Sequence, residues 1–243
     1  MTQKTILQRV KELAPWHFNI ELDYGIRTGD CSEPDAADAN KRNVATIKPE
    51  EMRSFFDKYY HQGLAGKDVL DVACNAGGYC FLAHELGARN VTGFDIREHW
   101  LDQAAFIKSV KYPDVKTVTF QSNSAQQFFD NGIKLYDIVI FKGIFYHLAD
   151  PIHVLTQFCD ATREKILVDS DSSDEIPEQC LAPTSESRTH VMSGIEGLAW
   201  LPGGPKAVDE ILRYKGFRSV DVAYWRRPEG KNARGRFRVI GSR

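Results

Sequence analysis

A short run of small and polar residues follows the first strongly apolar stretch of the sequence, and its composition suits close contact with a ligand. The run spans residues 71–78 and reads Asp-Val-Ala-Cys-Asn-Ala-Gly-Gly. Small residues let a backbone approach a ligand, and the helix predicted to follow offers free N–H groups and the positive end of its dipole. A second apolar stretch ends at Asp95, where nucleotide-binding folds in general place a carboxylate that accepts hydrogen bonds from ribose hydroxyls.

Two neighbouring residues that could act on a proton, Tyr146 and His147, follow the fourth apolar stretch. Histidine titrates near neutrality, so His147 is a candidate general base, and Tyr146 is a candidate for orienting an acceptor molecule. The alternatives are structural, because such a histidine can cap a turn and such a tyrosine can pack in a core. Near the N-terminus, Trp16 and His17 are candidates for contact with a substrate, or for a hydrophobic latch with their apolar neighbours.

A group of carboxylates follows the fifth apolar stretch and raises the question of a metal site. Hard cations need several converging oxygen ligands. These acids lie along a Ser-rich stretch without a recognisable ligand spacing, which is typical of a solvated loop. No metal is predicted. The residues considered are Asp169, Asp171, Asp174, Glu175 and Glu178.

The elements that must position these residues alternate regularly from residue 67 onward. Strands are predicted over residues 67–73, 90–96, 117–120, 136–141 and 165–169, and helices over about 78–86, 98–111, 125–130 and from Asp150-Pro151 onward. Continuous apolar strands that alternate with helices predict a parallel sheet covered on both faces. A helix over 206–215 and two consecutive strands over 219–225 and 236–240 end the chain, so its last strand runs antiparallel. The predicted fold class is α/β, a Rossmann-like doubly wound seven-stranded sheet with a terminal antiparallel hairpin.

Two segments fall outside this alternation. Residues 1–62 contain predicted helices over 2–14 and 49–61 and an Asp- and Ala-rich loop over 30–40. Residues 170–205 form a long polar connection, and connections of this length in compact domains are commonly functional lids. We therefore expect an N-terminal cap segment, 1–62, and a main domain, 63–243, with a cap insertion at about 170–205.

The overall composition predicts a soluble protein of the cytoplasm. Five cysteines without a CxxC pair favour free thiols, and no apolar run is long enough to span a bilayer. A net charge of −2 does not point to a polyanion ligand. The distribution is uneven, however, because seven cations of the terminal hairpin face only Glu229. These cations are Arg226, Arg227, Lys231, Arg234, Arg236, Arg238 and Arg243.

Residues 69–78, taken together with Asp95, resemble the first motif of class I S-adenosylmethionine-dependent methyltransferases. That family prefers glycine where this chain has Ala73 and Asn75, both small substitutes. The resemblance implies S-adenosylmethionine (SAM) as cofactor and S-adenosylhomocysteine (SAH) as product. The residues implied in binding SAM are Asp71, Ala73, Asn75, Gly77, Asp95, Ile96, Asn123, Ser124, Lys142 and Gly143.

Residues 143–151 are similar to the G-x-x-Y-H-x-x-D-P segment of a subgroup that includes the tRNA wobble-uridine carboxymethyltransferase, a similarity that covers about residues 64–243. Where that subgroup uses an arginine for carboxymethyl specificity, this chain has Glu196. An acid there would repel a carboxylated cofactor, so plain methyl transfer is favoured. The predicted cap, the aromatic stretch near Trp16 and the near-neutral charge suit an enclosed pocket, so methyl transfer to O or N of a small-molecule acceptor is the leading hypothesis. A tRNA-modifying methyltransferase or carboxymethyltransferase-like enzyme is the first alternative, and a non-catalytic scaffold is the second.

Overall fold

A computed structural model describes residues 1–31, 49–227 and 234–243, which form two compact units, Met1–Ser124 and Ala125–Arg243. Most of the predicted loop at 30–40, together with Glu229 and Lys231, lies outside the described residues. The boundary between the units lies inside the domain predicted over 63–243. No helix in the described ranges is long and apolar enough to cross a membrane.

The first unit carries three parallel strands and the helices that cover them. In chain order these elements are α1 (Gln3–Glu12), α2 (Pro49–Tyr59), β1 (Asp68–Val72), α3 (Gly78–Glu85), β2 (Asn90–Asp95), α4 (Glu98–Lys111) and β3 (Val118–Ser122). The strands pair in the order β3-β2-β1, all parallel. Every residue of β1 is buried, as expected for a strand that is covered on both faces.

The N-terminal segment packs against α4 within this first unit. Gln103 donates from Nε2 to the carbonyl oxygens of Leu13, at 2.6 Å, and Pro15, at 2.8 Å. The Trp16 indole N–H donates to the Val10 carbonyl at 2.8 Å, and the Trp16 ring is fully buried. This packing supports the alternative of a hydrophobic latch, and the contact of Trp16 with a substrate stays a prediction.

The second unit carries the other four strands of the seven-stranded sheet. Its elements are β4 (Tyr136–Lys142), a 3₁₀ turn (Phe145–His147), α5 (Pro151–Asp160), β5 (Thr162–Ser172), β6 (Leu181–Ser185), β7 (Leu198–Pro202), α6 (Lys206–Tyr214), β8 (Ser219–Arg226) and β9 (Gly235–Ser242). The order in this part of the sheet is β4-β5-β9-β8, with β4 parallel to β5 and β9 antiparallel to both its neighbours. The predicted α/β class and terminal antiparallel hairpin are confirmed.

Two predicted segments of the second unit have a different structure. Residues 125–130 form consecutive turns and not the short helix that we predicted. Phe128 stacks there on Phe158 of α5, and the Phe129 ring packs on it at a tilt, with ring centroids 6.0 and 4.9 Å away. Tertiary packing therefore determines the local path of the chain. The predicted insertion at 170–205 contains an antiparallel hairpin, β6–β7, joined by a loop over residues 186–197.

Candidate functional site

The turn between β1 and α3 has an unusual backbone. Ala73, Asn75 and Gly77 have φ angles of 53°, 52° and 76°, so three alternate residues are left-handed. Glycine pays no steric cost in this region and asparagine tolerates it, whereas alanine is strained. A Cβ atom at Gly77 would lie 2.6 Å from a ring carbon of Phe120. The family's preference for glycine at positions 73 and 75 therefore has a conformational cause.

This conformation predicts that Ala73→Gly stabilises the protein. Relief of the left-handed strain, about 1–2 kcal/mol, should exceed the added entropy of the unfolded chain, about 0.4–1 kcal/mol. We expect the free energy of unfolding of the cofactor-free protein to rise by about 0.5–1 kcal/mol in denaturant titrations. Ala76→Gly is the matched control. Ala76 is buried and is not left-handed, so this control should lower the stability. Equal losses in both variants would contradict the argument.

The carboxylate of Asp95 joins this turn to the start of α4. Its Oδ2 accepts from the Asn75 backbone N–H and its Oδ1 from the Arg97 backbone N–H, both at 3.0 Å. Burial raises the pKa of Asp95, although these N–H donors oppose the rise. A carboxylate oxygen can accept two hydrogen bonds, so Asp95 retains capacity for hydroxyl donors such as those of a ribose.

The other predicted cofactor residues of the first unit surround Asp95 or the turn. The Asn123 backbone N–H donates to the Asp95 carbonyl at 3.1 Å, and the Asn123 side-chain oxygen accepts from the Ser124 N–H at 2.8 Å. Ile96 is 42% exposed and offers apolar surface beside the carboxylate. Asp71 is buried, with its carboxylate 3.4 Å from the Cys80 thiol that donates to it. The exposed apolar surface of Ile96 and the unused acceptor capacity of Asp95 fit an adenosine group.

His147, in the second unit, is held by a carboxylate that sequence reasoning missed. Its Nδ1 lies 2.8 and 2.7 Å from the two carboxylate oxygens of Glu186, which follows β6. The Gly194 N–H donates to the same carboxylate at 2.7 Å. Burial opposes ionisation of Glu186, yet the bonds from His147 and Gly194 hold its pKa below the usual value. An ionised carboxylate on Nδ1 leaves Nε2 as the nitrogen that can exchange a proton with a ligand.

Tyr146 stacks beside His147 and bonds to the terminal hairpin. The two ring centroids are 4.1 Å apart, and the Tyr146 hydroxyl accepts from Arg236 Nη1 at 3.3 Å. Burial raises the pKa of Tyr146 to about 12, although Arg236 opposes the rise. The phenol therefore stays protonated at neutral pH. This makes it a candidate hydrogen-bond donor and excludes it as a base in that range.

Lys142 and Gly143 lie where β4 ends, as predicted for residues that bind the methionine end of SAM. Lys142 is aligned with Asp169 of β5, and the Gly143 N–H donates to the Asp169 carbonyl at 2.8 Å. Gly143 has a φ of 72°, which suits glycine. Their contact with the cofactor stays a prediction, as does the contact of His17 with a substrate.

The cations of the terminal hairpin are less available than the sequence indicates. Arg236 and Arg238 both pair with Asp169 of β5, and Arg236 also pairs with Asp171 at 2.8 Å. Arg243 donates to the carbonyl oxygens of Thr162 and Cys159 at 2.8 and 2.7 Å. The expectation that these cations face only Glu229 is therefore wrong, because strand pairing brings β5 carboxylates opposite β9. Within the described ranges no cluster of three His, Cys, Asp or Glu side chains could hold a metal ion.

Comparison with known protein families identifies the family of this chain. A family model described as a methyltransferase domain matches residues 64–216, more than half of the sequence. The chain belongs to the methyltransferase domain family. The predicted family, enzyme class and cofactor, a SAM-dependent methyltransferase, are confirmed at the level of the family.

Curated relatives of this methyltransferase carry a more specific name. The tRNA U34 carboxymethyltransferase of Aliarcobacter butzleri is 25% identical over 225 residues, which are 89% of this chain and 63% of that protein. The enzyme of the same name from Ectopseudomonas mendocina is 30% identical over 178 residues, 67% of this chain and 49% of that protein. The chain thus spans less than two thirds of the length of these relatives.

Solved structures share the fold of this methyltransferase. The N-terminal domain of EvdMO1 with SAH bound has a TM-score of 0.75 and 19% identity, covering 100% of this chain and 97% of that one. Magnesium protoporphyrin IX methyltransferase from Synechocystis PCC 6803 with bound SAM has a TM-score of 0.54 and 16% identity, covering 80% and 79%. At these identities the likeness concerns the fold.

Proposed function

We propose that this protein transfers a methyl group from SAM to an acceptor that must lose a proton, and that the acceptor is a nucleoside of tRNA. The observation that carries the reaction type is the pairing of His147 with Glu186. A methyl transfer needs an added base only where the acceptor carries a proton to be removed. Bound SAM supplies an electrophilic methyl group on a good leaving group, so the chain's own residues chiefly position and deprotonate.

The proposed step is a direct displacement at the methyl carbon. The acceptor oxygen or nitrogen forms a bond to the methyl carbon while the carbon–sulfur bond breaks and its electron pair stays on sulfur. The acceptor's proton passes to Nε2 of His147, and Glu186 stabilises the imidazolium through Nδ1. Tyr146, neutral beside His147, donates a hydrogen bond to the acceptor. Asp95 holds the ribose of the cofactor through its carboxylate.

Two observations support a tRNA acceptor and plain methyl transfer. The relatives named as tRNA U34 carboxymethyltransferases include one that matches 89% of this chain. Glu196 is fixed in place, because its Oε2 accepts from the Ala149 N–H at 3.2 Å and from Gln126 Nε2 at 2.8 Å. A fixed acid at the place of the subgroup's arginine disfavours a carboxylated cofactor.

A specific observation also favours a second candidate, a small polyhydroxylated acceptor. Asp169 and Asp171 neutralise much of the hairpin charge that would attract phosphates, since they bind Arg236 and Arg238. The EvdMO1 N-terminal domain, whose solved structure matches this chain over its full length, was crystallised in the presence of SAH and D-fucose. A sugar-like acceptor would need a base such as His147 for its hydroxyl group.

Methyl-labelled SAM distinguishes the two acceptors. With bulk tRNA, we expect label in the nucleosides of the digested RNA, and an affinity that falls steeply between 50 and 200 mM salt, because phosphate contacts release counterions. Replacing the exposed Arg226 with glutamine should flatten that salt slope. The control Arg213→Gln, on α6 and paired with Asp209, should leave the slope unchanged. Unlabelled tRNA together with labelled free sugars would instead establish the small-molecule candidate.

A further inference from the structure

We propose that Glu186 is a positioning residue that keeps the proton of neutral His147 on Nδ1, so that Nε2 is free to accept the acceptor's proton. This inference rests on the proposed function. It adds Glu186, the first residue of the loop that joins β6 to β7, to the proposed reaction. The sequence had indicated only Tyr146 and His147 as residues of that reaction. Both partners are largely withdrawn from solvent, with His147 17% and Glu186 14% exposed at their side chains.

Proton placement on His147 follows from the partners of the carboxylate. Glu186 accepts from the Gly194 N–H at 2.7 Å and faces Nδ1 of His147 at 2.7 and 2.8 Å. An ionised carboxylate can only accept hydrogen bonds, so the nitrogen that faces it must carry hydrogen. In neutral imidazole the other nitrogen, Nε2, then bears the lone pair.

The loop is built so that Glu186 reaches His147. The Glu186 backbone N–H donates to the Gly197 carbonyl at 3.0 Å, which closes the loop at its base. A side chain at Gly194 would collide with the carbonyl oxygen of His147, so glycine permits the close approach. At Gly197 the φ is 79°, again a conformation suited to glycine. Arg188 donates from Nε to the Glu196 carbonyl at 3.1 Å and ties the far side of the loop.

Glu186→Gln tests this arrangement with little change of shape. The amide oxygen of glutamine must face the Gly194 N–H, because that donor would otherwise be buried without a partner. That oxygen position lies 2.7 Å from Nδ1 and the other, now an NH₂ group, lies 2.8 Å from it, so the amide offers Nδ1 both an acceptor and a donor. The variant therefore keeps the loop and loses the fixed preference for a proton on Nδ1, whereas Glu186→Leu removes both acceptors from Nδ1.

The first measurement is the nitrogen NMR spectrum of histidine side chains in the full chain, which needs no acceptor. We expect the wild type to show protonated Nδ1 for His147 at a pH where the ring is neutral. Both variants should lose the predominance of that tautomer, Glu186→Leu more completely than Glu186→Gln. Ser187→Ala is the control, because Ser187 Oγ lies in the same loop, is exposed and bonds to Thr189 at 3.1 Å, away from the Glu186 carboxylate. Nδ1 still predominantly protonated in Glu186→Leu would overturn the proposal whatever the substrate is.

The second measurement is turnover of the acceptor, analysed as a double-mutant cycle. Glu186→Gln should lower kcat by about 10- to 100-fold, a large part of what a positioned base contributes, with SAM affinity unchanged. Adding this change to His147→Ala should cause no further loss, because Glu186 acts through His147. If the two losses in kcat instead multiplied in the double variant, Glu186 would act independently of His147, and the proposal would be contradicted. A wild type that methylates neither tRNA nor sugars would reject the proposed function and leave the NMR result to decide on Glu186.

Discussion

Asp95→Asn is expected to weaken SAM binding by about 100-fold or more, measured calorimetrically on the cofactor-free protein. Two ribose hydroxyls would lose a charged acceptor, and each such hydrogen bond is worth about 1.5–3 kcal/mol. The change also disturbs the turn, because Asp95 accepts from the N–H groups of both Asn75 and Arg97. An asparagine NH₂ group would face one of these donors and leave it without an acceptor.

The control for this variant is Asp68→Asn, at the opposite end of the first strand. Asp68 pairs with Arg89 at 2.6 Å, so its loss affects stability and leaves the turn of residues 73–77 intact. Thermal unfolding of both variants shows whether they are folded. A folded Asp95→Asn protein that binds SAM as the wild type does would remove Asp95 from the cofactor site.

His147→Ala is expected to lower kcat by about 10²- to 10⁴-fold while the affinity for SAM is kept. The magnitude is that of general-base catalysis, which contributes only in the transition state. The loop of residues 186–197 loses one of the partners of Glu186, but the Gly194 N–H still binds this carboxylate. We therefore expect the variant to fold, with at most a modest fall in melting temperature.

His153→Ala is the matched control for the catalytic variant. His153 is exposed on α5, and Asp150 caps that helix through the backbone N–H of His153 and not through its ring. Turnover should be that of the wild type. If His147→Ala also turned over normally, methyl transfer would proceed without a base from this chain, as it can when the acceptor carries no proton to lose.

The central strands β1, β2 and β4 were predictable because they are buried on both faces. Four successive residues of β4, Ile138–Phe141, are fully buried, and continuous apolar runs of this kind predict interior parallel strands. The start of α5 was also predictable, because Asp150 is a typical N-cap residue. Its carboxylate accepts from the His153 N–H at 3.2 Å. Local sequence patterns were sufficient to predict an element wherever the spacing of its apolar residues matched the faces that the element buries.

The β6–β7 hairpin could not be predicted in the same way. Its first strand reads Leu-Ala-Pro-Thr-Ser and has no buried residue, so it lacks the apolar alternation that marks a strand. No sequence pattern singled out Glu186, which follows that strand. Nothing in the spacing relates it to His147, since their contact depends on the path of the loop and on the close approach of Gly194.

The availability of the cations in the terminal hairpin could not be predicted from the number of charged residues, for a related reason. The sequence gives the number of arginines but not the strand register that aligns Asp169 with Arg238 and Asp171 with Arg236. The Asp169 carboxylate is buried, which alone would raise its pKa, yet Lys142, Arg236 and Arg238 together hold that pKa below its usual value. An apparent basic patch is in part an internal ion-pair network.

The left-handed residues of the first turn bear on how distant relatives of this protein can be recognised in genomes. A search pattern that demands glycine at positions 73, 75 and 77 rejects this chain, because only Gly77 satisfies it. A pattern that scores each position by the cost of the left-handed conformation accepts asparagine at low cost and alanine at a higher one. Relatives that lack these glycines can thus be recognised, provided that a carboxylate ends the next strand as Asp95 does here.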